Sequence, residues 1–409
     1  MTVHSIIIDG STPEGVLQKF EMGENDVLVF TPGEVLAADF RGAIEAKLSR
    51  SPEAVSRMTA LKMRMDSLAT SDRCKSEVFE QFRALETYLD TALLHRSDRA
   101  VEYAMRYCYG ICTAFVKEFV GDAAVVPGSA ILIAEGSSID LAASIVSVRE
   151  HISGKSIVPA GQYVASDGYV RSIGSSVGQL FASVIGTALK AELIAIHTEE
   201  FIEFKEDRMN YGDAMALCSA GHLGLYPSAL ALAVENSIPI DLIGDNRSVR
   251  IDNSPAPDRK WAGVSREDNL TLLTVTGYSL QGNVGISSAI FSSLAERGIN
   301  IRFIAQPSSE FSISFAVRSA DADKAAAAVE SVTAGLWFGL ATVLRLEVSI
   351  VTVIGVNMVH RKGISGEIFS VLGDAGINVV SYAQGGDEKS ISIVVESSAA
   401  PEAVNLLRR

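Results

Sequence analysis

Three short stretches of this chain have the residue types and spacing to hold a small charged ligand. Gly174-Ser175-Ser176-Val177-Gly178-Gln179 sets glycines and hydroxyls directly before an apolar stretch with helical spacing. Free backbone N–H groups at the start of a helix favour anions, so this loop can line a nucleotide or small-anion pocket. The plainer alternative is a serine-glycine loop that only caps the helix. Asn283-Val284-Gly285-Ile286 and Arg361-Lys362-Gly363-Ile364 also open helical stretches, and their N–H groups suit an α-carboxylate. Asn300 or Asn378, with Gln306 or Gln384, add amide donors and acceptors at the ends of neighbouring strand segments. They can receive an ammonium or side-chain group, or simply satisfy the strand ends.

Other chemistry is poorly provided for. The six histidines (His4, His95, His151, His197, His222, His360) show no HxH or HxxxH spacing, and only His222 has a cysteine near it in sequence, Cys218, so no metal set is expected. The four cysteines form no CxxC pair, which argues against a disulfide framework and fits a reducing compartment. Cys108 and Cys112 lie four apart on one helical face and read as core. Tyr103, Tyr107 and Tyr109 read as packing residues.

The elements that must position the candidates follow from periodicity. Residues 274–317 align with 352–395 at a constant offset of 78 without a gap. Gly277 matches Gly355, Gly285 matches Gly363, Gly298-Ile299-Asn300 matches Gly376-Ile377-Asn378, and Gln306 matches Gln384. Each copy begins with a β-branched apolar run, and a glycine then opens a helix with apolar residues at Ile286, Ile290, Leu294 or Ile364, Ile368, Leu372. Gly298 and Gly376 end those helices at a left-handed position. Two strands and a second helix complete a βαββα unit with its helices on one face of an antiparallel sheet. In the first two-thirds, short buried-type strands (SIIIDG, DVLVF, AILIA, ELIAIH, IPIDLIG) alternate with helices, the pattern of an α/β domain with a largely parallel sheet. The expected domains are 1–250, with a mostly helical portion at about 39–120, then 267–340 and 341–409. The polar, proline-bearing stretch 251–266 is the expected linker.

Bulk properties narrow the partners. The 409 residues, 48% apolar and 21% charged, can build two to four folded domains. A formal charge of −14 repels phosphate backbones and anionic lipid, so neither nucleic acid nor a membrane surface is an expected partner. No apolar stretch approaches the ~18 residues of a membrane span, and the expected location is cytoplasmic.

The paired repeats resemble the tandem ACT domains of aspartokinases, through their Gly-Ile-Asn and Ala-Gln-x-x-[ST]-x-x-x-Ser-Ile-Ser grammar. Residues 1–250 resemble, more weakly, the amino-acid kinase domain of the same family. Residues 210–242 follow its Ser-Tyr-x-Glu-x-x-Glu-Leu-Ala-x-x-Gly-Ala-Lys-Val-Leu-His-Pro segment, with register set by Tyr211, Gly221, Pro227, Ile238 and Pro239. The resemblance implies an amino-acid kinase fold followed by two ferredoxin-like ACT domains, ATP and magnesium as cofactors, and phosphorylation of the aspartate β-carboxylate. It also implies a lysine- or threonine-class effector between paired ACT units, touched by Gln306 and Asn378.

The motifs depart from the family where phosphoryl transfer needs charge. The family's Lys-Phe-Gly-Gly-[ST] turn reads Ile8-Asp9-Gly10-Ser11-Thr12 here, and its later lysine aligns with Leu223. Its Gly-Arg-Gly-Gly-Ser-Asp loop becomes the Gly174–Gln179 stretch, with Gln179 in place of the aspartate. Its Thr-Asp-x-Asp-Gly segment becomes Thr198-Glu199-Glu200-Phe201-Ile202. Phosphoryl transfer relies on positioning and charge neutralisation, so these losses predict a degraded or repurposed kinase site. Gly10, Ser11, Gly174, Ser175, Ser176 and Gly178 remain as candidate nucleotide contacts. The alternative is a working kinase or ligase for aspartate or another small carboxylate, its site rebuilt around Arg171, Lys190, Lys205 or Arg208. Open sheet edges predict a homodimer through the ACT units. Association as a regulatory subunit with a true aspartokinase is a further option.

Overall fold

The computed structural model describes residues 1–8, 22–95, 99–135, 138–165, 170–172, 177–198, 207–219, 223–244, 247–255, 259–276, 285–306, 312–334 and 342–408. The chain divides into two compact units, Met1–Pro255 and Ala256–Arg409.

The first unit opens with β1 (Thr2–Ile8) and β2 (Val27–Pro32), apolar and buried almost throughout. Helices α1 (Glu34–Leu48), α2 (Ala54–Leu68), α3 (Asp72–His95), α4 (Ala100–Ala104) and α5 (Arg106–Val120) follow. The chain continues through β3 (Ala124–Val125), β4 (Ile133–Glu135), β5 (Ser138–Ile139), α6 (Leu141–His151), β6 (Ser156–Pro159), β7 (Gln162–Ala165) and β8 (Val170–Ser172). It closes with α7 (Val177–Leu189), β9 (Leu193–His197), β10 (Arg208–Asn210), α8 (Tyr211–Ser219), α9 (Pro227–Glu235), β11 (Ile240–Ile243) and β12 (Ser248–Asp252).

Eight strands form one sheet in the order β10-β12-β11-β9-β1-β2-β6-β3. Every pairing in it is parallel except β11 with β12. Strands buried on both faces favour apolar residues at successive positions, which is why Ile6-Ile7-Ile8 of β1, Val27-Leu28-Val29-Phe30 of β2 and Leu193-Ile194-Ala195-Ile196 of β9 show no alternation. A smaller sheet runs β5-β4-β7-β8. The expected helical portion is seated by a core in which Ile6, Ile8, Leu28 and Phe30 of the sheet pack with Phe40, Met65, Leu85 and Phe115 of the helices. Cys108 and Cys112 lie fully buried in that core, as their spacing predicted.

The second unit contains β13 (Gly263–Thr276), α10 (Ile286–Glu296), β14 (Phe303–Ala305), β15 (Ser312–Arg318) and α11 (Ala322–Thr333). The second copy follows with β16 (Thr342–Ile354), α12 (Ile364–Asp374), β17 (Ser381–Gln384), β18 (Ser390–Glu396) and α13 (Ala400–Leu407). The repeat is visible in matching geometry. Gly285 and Gly363 precede their helices with φ of 96° and 89°, and Gly298 and Gly376 end them with φ of 69° and 71°. The Ile286, Ile290, Leu294 stripe and its Ile364, Ile368, Leu372 counterpart each anchor a separate core under their own sheet strands.

The βαββα description needs one extension. All six strands form a single sheet, β14-β15-β13-β16-β18-β17, because β13 and β16 are long enough to serve both copies. Leu270–Thr276 pair with β15 on one side and with Thr342–Val348 on the other, while Gly263–Glu267 pair with Ile350–Ile354. A register shift between Glu267 and Leu270 separates the halves of β13. Each copy therefore gains a fourth strand from the other. On the helix-free face Leu270, Leu272, Phe303, Val348, Ile350 and Val394 form a third core. The sheet curls enough that its end strands, β14 and β17, come within 8 Å Cα–Cα of each other.

The stretch 251–266 is only partly a connection. Ile251 and Asp252 finish β12, and Gly263 to Arg266 begin β13. Residues between them dock on the second copy: the Trp261 indole N–H donates to the carbonyl of Leu407 at 2.9 Å, and Asn357 Nδ2 donates to the carbonyl of Arg259 at 2.8 Å. Lys260 pairs with Glu367.

Candidate functional site

In the first unit the candidate pocket is defined by α7 and the carboxyl ends of the parallel strands, where ligands of open α/β sheets bind. Gly178 is buried against them. A Cβ at Gly178 would lie 3.2 Å from Thr31 Cγ2 and 3.4 Å from Ser5 Oγ, so the missing side chain lets α7 start directly over β1 and β2. Gly178 therefore has a packing role in addition to any contact it makes with a ligand. Gly10, Ser11, Gly174, Ser175 and Ser176 lie outside the described residues.

The three positions where the family pattern has charge are all committed to structure. Ile8 ends β1 buried in the main core, and its carbonyl accepts from Gly33 N at 2.8 Å. Leu223 is 3% exposed. Gln179 bridges to the segment that enters α9: its Nε2 donates to the Gly224 carbonyl at 2.8 Å and its Oε1 accepts from Tyr226 N at 2.7 Å. Only an amide can do both, since a carboxylate has no donor. Gln179→Ala is expected to cost about 1–2 kcal/mol, the net value of two hydrogen bonds with their partners left behind. Urea denaturation of the full chain measures that loss.

The basic residues considered as substitutes are not gathered there. Lys190 follows the last turn of α7, roughly 18 Å of helix away from Gly178. Arg208 lies on the edge strand β10, where its Nε donates to Asp252 Oδ2 at 2.9 Å. That guanidinium holds the Asp252 carboxyl down at about 2. Arg171 is on β8 in the smaller sheet, opposite Tyr163. Lys205 lies outside the described residues.

One pair of titratable groups escaped the sequence reading. His4 in β1 and His197 at the end of β9 have ring centroids 6.1 Å apart, brought together by the parallel β1–β9 pairing. Burial, with His4 beside it, holds the His197 imidazole down at about 4. Burial also lowers His4, although Asp26 opposes the shift. No local motif could have shown this, because only sheet order juxtaposes the two residues.

In the second unit a groove of about 910 Å³ opens between the end strands. Gln306 and Gln384, equivalent in the two repeats, both line it, together with Ser381, Tyr382 and Phe369. Phe369 and Tyr382 meet edge to face at 5.0 Å. Ile304 and Tyr382, 47% and 57% exposed, leave apolar surface at its rim. The remaining candidates are not among its lining residues. Asn300 and Asn378 are exposed in the segments leading to β14 and β17, Gly285 and Gly363 cap their helices, and Ile286 is buried in the first-copy core. Asn283 and Val284 lie outside the described residues. Among the described residues no cluster of three or more His, Cys, Asp or Glu is placed to hold a metal ion, and no helix is long and apolar enough to cross a membrane.

Comparison with known proteins follows the same division. The ACT domain family matches residues 273–332 and 351–409, one match per repeat. A bifunctional aspartokinase/homoserine dehydrogenase of Haemophilus influenzae is 33% identical over 205 residues, 48% of this chain and 25% of that protein. Aspartokinase 2 of Bacillus subtilis is 27% identical over 274 residues, 62% of this chain and 66% of the relative. The chain thus spans between a quarter and two-thirds of the length of these curated relatives. The solved structure of E. coli aspartokinase III in complex with lysine and aspartate superposes with a TM-score of 0.81, covering 100% of this chain and 98% of that one at 16% identity. The second unit thus carries paired ACT domains, and the whole chain is similar to aspartokinases, in sequence over about half to two-thirds of its length and in fold throughout.

Proposed function

We propose that this chain is an aspartokinase homologue whose phosphotransfer site is degraded or repurposed and whose ACT pair still senses an amino acid. The reading rests on one observation: the positions expected to carry two lysines and an aspartate hold Ile8 and Leu223, both buried, and Gln179, spent on the loop before α9. Those residues do not fit a magnesium nucleotide, which needs cations at the transferring phosphate and an acid to organise it. In relatives that phosphorylate aspartate, ATP with magnesium supplies the phosphoryl group. Here the side chains at the matching positions hold the fold together and offer no charge for that step.

The groove between β14 and β17 is the proposed effector site, for an amino acid of the lysine or threonine class. The Gln306 and Gln384 amides offer both donors and acceptors to a zwitterion, and Tyr382 and Phe369 offer an apolar wall to its side chain. The chain acts in the cytoplasm as a homodimer through its ACT units, or beside an active aspartokinase.

Isothermal titration with ATP–Mg²⁺, and separately with lysine, threonine and aspartate, tests both halves. The expected result is no nucleotide binding below millimolar concentration and one amino acid bound, with Gln306→Ala or Gln384→Ala weakening it by about 10-fold, the value of one good hydrogen bond. Micromolar nucleotide binding or aspartate-dependent ATP turnover would establish an active kinase instead. Failure of all three amino acids would remove the sensing role.

A further inference from the structure

A second cavity, of about 510 Å³, lies in the first unit between α3, α5 and the carboxyl ends of β3 and β6. Its most unusual wall is Arg106. The guanidinium lies 4.0 Å from the Tyr103 ring centroid and 4.6 Å from that of Tyr107. It donates through Nη1 to the Tyr103 hydroxyl and through Nη2 to the Tyr107 hydroxyl, the latter at 2.6 Å. Tyr88 stacks behind, 4.9 Å from Tyr103 and 6.3 Å from Tyr107. The three tyrosines fix the plane of the guanidinium without neutralising it, since among the described residues Arg106 has no carboxylate partner.

Every other guanidinium in the ion pairs of this unit meets an acid: Arg41 with Glu102, Arg57 with Glu53, Arg64 with Asp39, Arg73 with Glu77, Arg83 with Glu80, Arg208 with Asp252, Arg247 with Asp207, Arg250 with Asp241. Arg149, which donates to the Ala188 carbonyl, is likewise outside these ion pairs; what sets Arg106 apart is its seat against two tyrosine rings with both hydroxyls bonded to it. A guanidinium has five N–H donors, of which two are used by the tyrosines, so three remain for a ligand. Lys117 lies on the same helix three turns away at the cavity wall, engaged only at 3.8 Å by Glu77, which Arg73 also holds at 3.2 Å. Glu77 lines the cavity too, its carboxylate facing Arg73 and Lys117, and the other polar lining is neutral: the Gln81 and Gln162 amides and the Thr113 and Ser129 hydroxyls. Gln162 Nε2 is already donated to the Glu102 carbonyl at 3.1 Å, which leaves its oxygen as an acceptor.

We infer that this cavity binds a small hydroxylated carboxylic acid, with a carboxylate on Arg106 and its hydroxyl groups among the amides. A planar fork prefers a planar carboxylate, and tyrosine stacking removes most of the ordering cost that a free arginine side chain would carry. The site shares no residue with the Gly174–Gln179 stretch or with the ACT groove, so it stands whether or not nucleotide is bound.

Titration calorimetry of the full chain with malate, citrate and, as a comparison, inorganic phosphate decides it. Malate or citrate is expected to bind with Kd in the range ~0.1–1 mM and phosphate at least ~10-fold more weakly. Arg106→Gln is expected to lose at least ~10-fold, and Arg106→Lys to lose a similar factor despite its charge, because the fork is gone. Tyr103→Phe, which frees the guanidinium edge but keeps the ring, is expected to lose ~2–5-fold. Both positions line the cavity, and circular dichroism checks that the three variants remain folded. Equal binding by Arg106→Gln, phosphate binding as tightly as citrate, or no carboxylate bound at 10-fold above the expected range would each overturn the assignment.

Discussion

Gly355→Ala is expected to destabilise the second unit by about 3 kcal/mol and to lower its melting temperature by roughly 6–12 °C. The cause is steric. Gly355 has an extended backbone, φ 169° and ψ 146°, that any residue adopts, so the substitution carries no dihedral penalty. A Cβ there would lie 2.5 Å from Ala262 N and 2.8 Å from Trp261 Cα, both backbone atoms that cannot swing aside. The added methyl must push the segment 261–262 off β16, breaking the Ala262 N–H bond to the Ile354 carbonyl at 2.6 Å and unseating Trp261. Gly363→Ala provides the comparison. That glycine has φ 89° and open space around it, so only the left-handed backbone is penalised, by about 1 kcal/mol. Differential scanning calorimetry of the two full-length variants separates the mechanisms. Equal losses would mean that the docked segment adds little.

Acid is expected to weaken the first unit well above the range in which carboxylates titrate. His197 is held down at about 4, against 6.5 in an unfolded chain. Above pH 6.5 both states leave it neutral and stability is complete. Between 6.5 and 4 the unfolded chain gains a proton that the folded chain refuses, so stability falls steadily as pH drops, by about 3 kcal/mol in total. Below 4 the folded state is protonated too and this loss stops. His4, also lowered by burial, adds loss in the same direction. Asp26, held down by the backbone N–H groups of Thr2 and Gly23 against the opposing effect of burial, and Asp252, held by Arg208, extend the loss to lower pH. Urea titrations at pH 7.5, 5.5 and 4.5 should show a slope that His197→Gln flattens. An unchanged slope in that variant would assign the acid sensitivity elsewhere.

What was legible in the sequence was whatever is encoded locally. The offset of 78 residues carried over to matching left-handed glycines at 285 and 363 and to matching isoleucine-leucine stripes, because capping and amphipathicity depend on a few neighbouring residues. The repeat also made Gln306 and Gln384 equivalent, but it is the approach of the end strands β14 and β17 that brings them to one groove. Pairings between distant segments were hidden. The start of β13, residues 263–266, falls within the expected linker because it follows a polar stretch with two prolines, and only its pairing with β16 makes it a strand. Asn300 and Asn378 matched each other as well as the glutamines do, but they lie before the strands begin, on exposed turns. The His4–His197 pair and the stacked Arg106 depend on sheet order and helix packing, for which a single sequence carries no periodic signal.

Trp261 makes the two look-alike repeats unequal. The incoming chain is buttoned to the last helix through the Leu407 carbonyl, to Glu367 through Lys260, and to Asn357 through the Arg259 carbonyl, all of them in the later copy. Strain arising in that copy reaches the docked segment through these side-chain contacts, and strain arising in the earlier copy reaches it along β13, which continues directly from it. The halves repeat one pattern, yet only the later one is gripped by the side chains of the segment that leads into them.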